Sequence, residues 1–493
     1  MARTVLPASL ATHANIAEPV RPTCSSAHEV PAPAIHGQVL RHASPHQIFG
    51  CSPVKAVDAM SGMVTEVRPP RHDEMAAYYR ALPYANGLPS WEPADAAWHG
   101  GPEPWPPQRT PASGDQLEKW AAADIKDKAF HPIGTFVDGR CVGASATISF
   151  DVTVPGGGTG RMAGVTATGV IATHRRRGYL RQMMQAMFDA ALERGEPLAM
   201  LSASEGSIYG RFGFSPATYR TRWELARHEA ALLPAEPDPG SLELVDAARA
   251  KKAWPRVHAE VRAHRIGELG PLPGRWDGLS DEADGTNGPL RYLTHRDQHG
   301  NVDGIANFRL PWSPTTDRAG TLVVEALEAT NPVAYRALWG LLIDFDLTKT
   351  VVAAGRPRDE PLRWMLTNPR AMRITRQTDN LWARLLDVSR ALTQRSYLTP
   401  GELKFTIDDD RMCPANNRTW HLRADGPVAM CVPTDETADL TITLSALSSL
   451  YFGGMSAHHL AYSGHIAAHT DGAIGQLARM FWTDPEPHNS FGF

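Results

Sequence analysis

Features that would mark an oxidised, metal-bound or membrane-embedded chain are missing from this sequence. Its five cysteines (Cys24, Cys51, Cys141, Cys413, Cys431) are scattered over 493 residues, odd in number and without CxxC spacing. That pattern excludes a disulfide framework and gives no zinc-ligand spacing, so no metal is expected and a reducing cytoplasm is the default compartment. No run of about 18 apolar residues occurs, so no segment is expected to span a membrane. The N-terminal region likewise lacks an apolar stretch long enough for a signal-peptide core. An excess of one charge is absent too: 49 Lys and Arg stand against 53 Asp and Glu, a formal net charge of -4. Such a balance leaves no electrostatic footprint for nucleic acid. The one dense basic run, His174-Arg175-Arg176-Arg177, is too short for a polybasic tail and suits the phosphates of a small ligand.

What is present is an ordinary globular composition, 42% hydrophobic and 21% charged, in a chain long enough for about three domains. Residues 1–62 hold many prolines and histidines and few acids, and read as a disordered extension, with Met60 or Met63 as alternative starts. Folded structure is expected from Val64, with a short strand and then a helix over "RHDEMAAYYRALPY", whose Asp73 and Glu74 suit a helix N-terminus. Ala85 to Pro111 is rich in Pro and Gly yet carries Trp91, Trp98 and Trp105, the mark of either a lid over a pocket or a strap on the core.

A supersecondary order then appears twice. "HPIGTFVDGRCVGASATISFDVTV" reads as strand, Asp-Gly turn and strand, "GVTATGVIA" as a strand, Leu180 to Ala191 as an amphipathic helix closed by Gly195, and "PLAMLSAS" as a buried strand. The same hairpin, strand, helix, strand order runs through "RYLTHRDQHGNVDGIANFRL", "GTLVVEALEA", "PVAYRALWGLLIDFDL" and "KTVVAAG". The second copy has only Ala329-Thr330-Asn331-Pro332 where the first has an arginine-glycine loop, so it reads as a degenerate duplicate without a phosphate site. Beyond about residue 380 the pattern predicts a helix over "LWARLLDVSRALTQ", four strands, and helices over "SALSSLYFGG" and "AIGQLARMFW", an α+β third domain.

Chemistry concentrates in "TATGVIATHRRRGYLRQMM". A strand runs through a short loop into a helix, and free N–H groups at a helix start, a glycine and three arginines together make an anion site suited to a pyrophosphate. Solvated loop arginines and a turn-relieving Gly178 are the alternative. About thirty residues on, "SASEGSIYGRFGF" places a strand end at Ser202 to Ser204, a short helix carrying Tyr209, and a turn at Gly213-Phe214.

Together the two stretches resemble the GNAT superfamily of acyl-CoA-dependent N-acetyltransferases. Arg175-Arg176-Arg177-Gly178-Tyr179-Leu180 matches its Arg/Gln-x-x-Gly-x-Gly/Ala loop except at Leu180, and Tyr209 with Gly213-Phe214 matches its second signature. "THRRRG" followed by Leu, with "SEGSIYGRFGFSPAT", resembles the Eis (enhanced intracellular survival) family within it. The resemblance implies tandem GNAT domains of α/β type, the second degenerate, followed by an α+β domain of sterol-carrier-protein type. The expected boundaries are 63–222, 223–378 and 379–493.

It also implies roles. The edge of Thr168, Gly169 and Val170 would pair with the pantetheine arm of acetyl-CoA, and Arg176, Arg177, Gly178, Tyr179, Leu180 and Arg181 would wrap its pyrophosphate. Ser204 and Glu205 would contact the arm near the acetyl group, Ser204 having a helix N-cap as its other reading. Tyr209 would act as general acid for the leaving thiolate, or else pack beneath the cofactor. The C-terminal carboxylate of Phe493 would be the general base, or the aromatic tail would serve stability alone. Substrates implied are polycationic amines such as aminoglycosides, or lysines of proteins and peptides. Trp120 and the tryptophan segment, with Glu92, Asp95, Glu103 and Glu118, are candidates to line their pocket or are plain solvated loop residues. A homohexamer is also implied. A lipid-binding or scaffolding protein with a vestigial site is the reading from another class.

Overall fold

The computed structural model describes residues 54–57, 64–86, 129–272, 274–282, 288–311 and 320–493. Trp91, Trp98, Trp105 and Trp120, their neighbouring acids and most of the N-terminal extension lie outside the described residues. The chain divides into two compact units, one of residues 4–147, 165–193 and 493, the other of residues 148–164 and 194–492.

In the first unit β1 (Val54–Val57) and β2 (Val64–Arg68) pair antiparallel, and β2 pairs in turn with β3 (Phe130–Val137). Strand β1 falls inside the stretch expected to be disordered. Val54-Lys55-Ala56-Val57 is a short alternating segment that gains order from its ladder to β2, which composition alone does not reveal. Helix α1 (Met75–Asn86) follows β2. The Asp138-Gly139 turn leads from β3 to β4 (Arg140–Thr153), with both turn residues at positive φ, 47° and 78°, as a tight hairpin requires. Strand β5 (Thr159–Val170) leads to α2 (Tyr179–Glu193), which buries Met183, Met184, Met187, Phe188 and Ala191 on one face, as their spacing predicts.

In the second unit the first part of β5 pairs parallel with β6 (Leu198–Leu201), ending at Gly164 with Met200. After β7 (Ser215–Pro216) come β8 (Tyr219–Ala226), β9 (Ser241–Val245), α3 (Ala247–His264), β10 (Arg291–Arg296), β11 (Val302–Arg309), β12 (Thr321–Ala329), α4 (Pro332–Ile343), β13 (Thr350–Arg356) and β14 (Met372–Asp379). They build a seven-stranded sheet in the order β14-β8-β13-β12-β11-β10-β9. Trp223 and Trp339, 5.1 Å apart between centroids, sit in its buried core with Phe308, Leu338 and Val351. Helix α4 starts as its sequence predicts: Asn331 accepts from the Ala334 N–H at 2.9 Å and Pro332 occupies the first turn.

The strands that close the two copies are exchanged between sheets. β8 follows the first copy but lies between β13 and β14. β15 (Trp382–Leu385) follows the second copy and pairs antiparallel with β6 and β7. This corrects two expectations. The boundary near 222 falls inside β8, and the one near 378 falls in β14 and so leaves β15, a strand of the first sheet, on the side of the third domain; the helix over "LWARLLDVSRALTQ" is confined to α5 (Val388–Thr393), capped by Asp387. Tertiary pairing overrides local propensity here: Arg384 is fully buried against Asp410 at 2.8 Å, and the Leu385 N–H donates to the Ser448 hydroxyl at 3.1 Å.

The remaining chain forms β16 (Gly401–Ile407), β17 (Arg418–Asp425), β18 (Val428–Pro433), β19 (Leu440–Ile442), α6 (Leu444–Leu450), α7 (Ala457–Tyr462), β20 (Ile466–Ala468) and α8 (Ala473–Phe481). Its five strands are ordered β18-β17-β16-β19-β20, an α+β domain as the pattern predicts.

Candidate active site

The loop between β5 and α2 is built to present backbone. Ala167 takes φ 52° within β5, a left-handed kink just before Thr168-Gly169-Val170. The Thr168 hydroxyl is hydrogen-bonded to Ser145 at 2.6 Å, and the Ile171 N–H donates to Val142 O at 2.9 Å, which fixes the strand end. Arg175 turns back on the loop: its Nε donates to Val170 O at 3.1 Å and its Nη2 to Ala85 O at 2.5 Å. It is a structural arginine, whereas Arg176, Arg177 and Arg181 are exposed.

Arg176 (φ 62°) and Gly178 (φ 82°) are both left-handed, and a Cβ at Gly178 would meet nothing within 4 Å. The glycine is therefore required by backbone conformation rather than by crowding, and open space lies over it. Tyr179 is buried against Val137 and Val142 and pins the helix start, while the half-buried Leu180 and the exposed Arg181 complete the first turn. Gly178 O accepts from Gln182 N at 3.1 Å, so the first-turn N–H groups have no partner within the helix. Desolvation, aided by the Arg177 and Arg140 guanidiniums, lowers the His174 pKa and keeps that ring neutral. Exposed cations, first-turn amides and a permissive glycine fit a phosphate-bearing ligand.

The second group lies beyond β6. Glu205 occupies the N-cap position of the one-turn helix Gly206–Tyr209 without a side-chain capping bond. The N-cap alternative for Ser204 is thereby overturned, since the cap position belongs to Glu205. Tyr209 is 8% exposed and stacks edge-on against Phe214 at 6.4 Å. Burial raises its phenol above the usual value, the Ser204 hydroxyl opposes that rise, and the Glu205 carboxylate adds to it. The structure thus brings Ser204, Glu205 and Tyr209 together.

Two supports of this turn escaped the sequence reading because they lie on β15. A side chain at Gly206 would meet the Trp382 ring at 3.2 Å, and one at Gly213 (φ 84°) would collide with the Arg384 guanidinium. Their only signal is the pair of glycines around Tyr209, and the partners that require them are about 170 residues away.

The tail is docked, not frayed. Pro485 and Pro487 precede a segment in which the His488 N–H donates to Ile266 O at 2.8 Å, and the Asn489 side chain accepts from Thr218 at 2.7 Å and Asn380 at 2.9 Å. Phe491 and Phe493 are 8% and 5% exposed.

Comparison with known proteins agrees with this architecture. Residues 105–217 and 272–387 each match a family described as an acetyltransferase (GNAT) domain, and residues 388–490 match a sterol carrier protein domain. An uncharacterized N-acetyltransferase of Streptomyces coelicolor is 37% identical over 360 residues, 72% of this chain and 86% of that protein. N-acetyltransferase Eis of Mycobacterium tuberculosis is 31% identical over 360 residues, 71% of this chain and 86% of its own length. The crystal structure of Eis1 from Mycobacterium abscessus superposes with a TM-score of 0.71 at 28% identity, covering 87% of this chain and all of that one. The two GNAT copies, the strand-loop-helix segment and the third domain therefore have one source: the chain belongs to the Eis-like family of GNAT N-acetyltransferases.

Proposed function

We propose that the protein transfers an acetyl group from acetyl-CoA to amines of polycationic small molecules, aminoglycosides among them, with Tyr209 as general acid and the Phe493 carboxylate as general base. The observation that carries the reading is the loop Arg176 to Arg181, where exposed guanidiniums and first-turn amides flank a glycine that only backbone geometry demands. Thr168, Gly169 and Val170 would hold the pantetheine arm beside it, and Ser204 and Glu205 its acetyl end.

Bound acetyl-CoA supplies an activated acyl carbon for attack by a neutral amine and a thiolate as leaving group. Tyr209 gives that thiolate its proton. A buried phenol with a raised pKa stays protonated at neutral pH, and Ser204 limits the rise so that proton transfer remains feasible. The Phe493 carboxylate takes the proton lost by nitrogen once attack has made it acidic, so its placement matters more than its basicity. The expected assembly is a hexamer, by likeness to the family.

The test is acetyl-CoA discharge, followed as free thiol, over a panel of aminoglycosides, linear polyamines and lysine peptides. Turnover with the free polyamines supports the reading. Turnover with polypeptides alone replaces it by a lysine acetyltransferase, and failure to bind CoA in calorimetry replaces it by a binding or scaffolding role.

A further inference from the structure

In the degenerate second copy, β12 and β13 pair in parallel only from Thr321 with Thr350 to Val324 with Ala353, after which β12 continues to Ala329 and β13 to Arg356. In the first copy the corresponding part of the fold is the edge proposed to hold the pantetheine arm. Here the strand ends are bridged by the chain itself. Arg356 Nη1 donates to Leu327 O at 3.0 Å while its Nε donates to Glu360 at 2.6 Å. A cavity of about 60 Å³ at this place is lined by Glu328, Arg356 and Arg275, and by His488 and Ser490 of the C-terminal segment.

The segment is held there by a carboxylate with no access to solvent. Glu268, 0% exposed, accepts the Ser490 N–H at 3.0 Å and its hydroxyl at 3.1 Å, and is itself paired with Arg265 at 3.1 Å. One residue on, the Phe491 ring lies beneath the Arg275 guanidinium, 3.7 Å from its carbon to the ring centroid, and 5.6 Å from the His258 ring. A buried carboxylate taking backbone and hydroxyl donors from Ser490, with a cation over the ring of the very next residue, fixes the direction as well as the position of the chain two residues before Phe493.

We propose that the second domain, having no phosphate loop, has become a clamp for the chain's own C-terminal segment, with Glu268 and Arg275 as positioning residues for the Phe493 carboxylate. This rests on the reading of that carboxylate as general base. A clamped tail supplies the base in a fixed place, and loss of either grip lets the last residues wander, which lowers turnover without touching the cofactor loop.

The test uses the full-length protein and two readouts: release of Phe493 by carboxypeptidase A, followed by mass spectrometry, and kcat and KM for acetyl transfer to a polyamine. Glu268→Ala removes the acceptor, and Ser490→Pro removes the donated N–H while leaving the domain intact. Both are expected to speed release about tenfold or more and to lower kcat about tenfold or more, with KM for acetyl-CoA within about twofold. Arg275→Lys, which keeps a cation over Phe491, is expected to behave close to wild type. Unchanged release in both Glu268→Ala and Ser490→Pro overturns the clamp. Fast release with unchanged kcat overturns the positioning role. Deleting Phe493 in the same assay tells the two failures apart, since a deletion that leaves kcat intact removes the base assignment and not the clamp.

Discussion

The buried Tyr209 ring stacks edge-on against Phe214 at 6.4 Å between centroids, in surroundings where burial raises its pKa and the Ser204 hydroxyl opposes that rise. The serine thereby bears on the phenol rather than on the helix start, where Glu205 holds the cap position. A phenol raised in this way stays protonated at neutral pH, as the proposed role of proton donor requires.

Removal of the donor is expected to affect chemistry and not cofactor binding. Tyr209→Phe keeps the ring and its packing on Phe214, so kcat should fall about 100-fold or more while the CoA dissociation constant stays within about twofold. Steady-state kinetics with CoA calorimetry checks this. A large loss of CoA affinity instead would make Tyr209 a packing residue.

The pH dependence has a definite sign. With Tyr209 as the acid, activity is expected to fall as pH rises through its pKa, which burial sets above the ordinary tyrosine value. Ser204→Ala removes the interaction that favours the phenolate, so the alkaline limb of the kcat profile should move to higher pH. A shift to lower pH would contradict the assignment.

Gly178 tests the cofactor loop. Its φ of 82° is costly for a β-branched residue, by about 1–3 kcal/mol, so Gly178→Val should weaken CoA binding about tenfold or more in calorimetry. Equal affinity would mean that the loop does not hold the pyrophosphate.

Gly213 tests the exchanged strand. Alanine there meets both a positive φ and the Arg384 guanidinium from β15, and is expected to destabilise the fold by about 2 kcal/mol or more in urea unfolding. Unchanged stability would show that β15 does not brace the Tyr209 turn.

Much of the fold is legible where one residue's environment follows from its neighbours in the chain. Met183, Met184 and Met187 fall on the buried face of α2, Asp138-Gly139 makes its hairpin, and Asn331-Pro332 opens α4. Legibility fails where the deciding partner is distant. Trp382 to Leu385 carries a helix-compatible pattern, yet an open place between β6 and β7 draws it into a sheet. Tyr219 to Ala226 sits next to the Tyr209 motif in sequence but completes the other sheet. Within the site, the loop and Tyr209 announce themselves by local motifs, whereas the division of labour among the arginines does not. Arg175 is spent on Val170 and Ala85, and only coordinates separate it from Arg176 and Arg177. The grip of Glu268 on Ser490 spans 222 residues and has no local signature at all.

The central claim is that the chain's last carboxylate takes the proton of the attacking amine. Its most direct test is single-turnover acetyl transfer by protein extended a few residues beyond Phe493, with CoA affinity measured in parallel. The account predicts a loss of about 100-fold or more in the acetyl-transfer rate at unchanged CoA affinity. Full activity in the extended protein would contradict it.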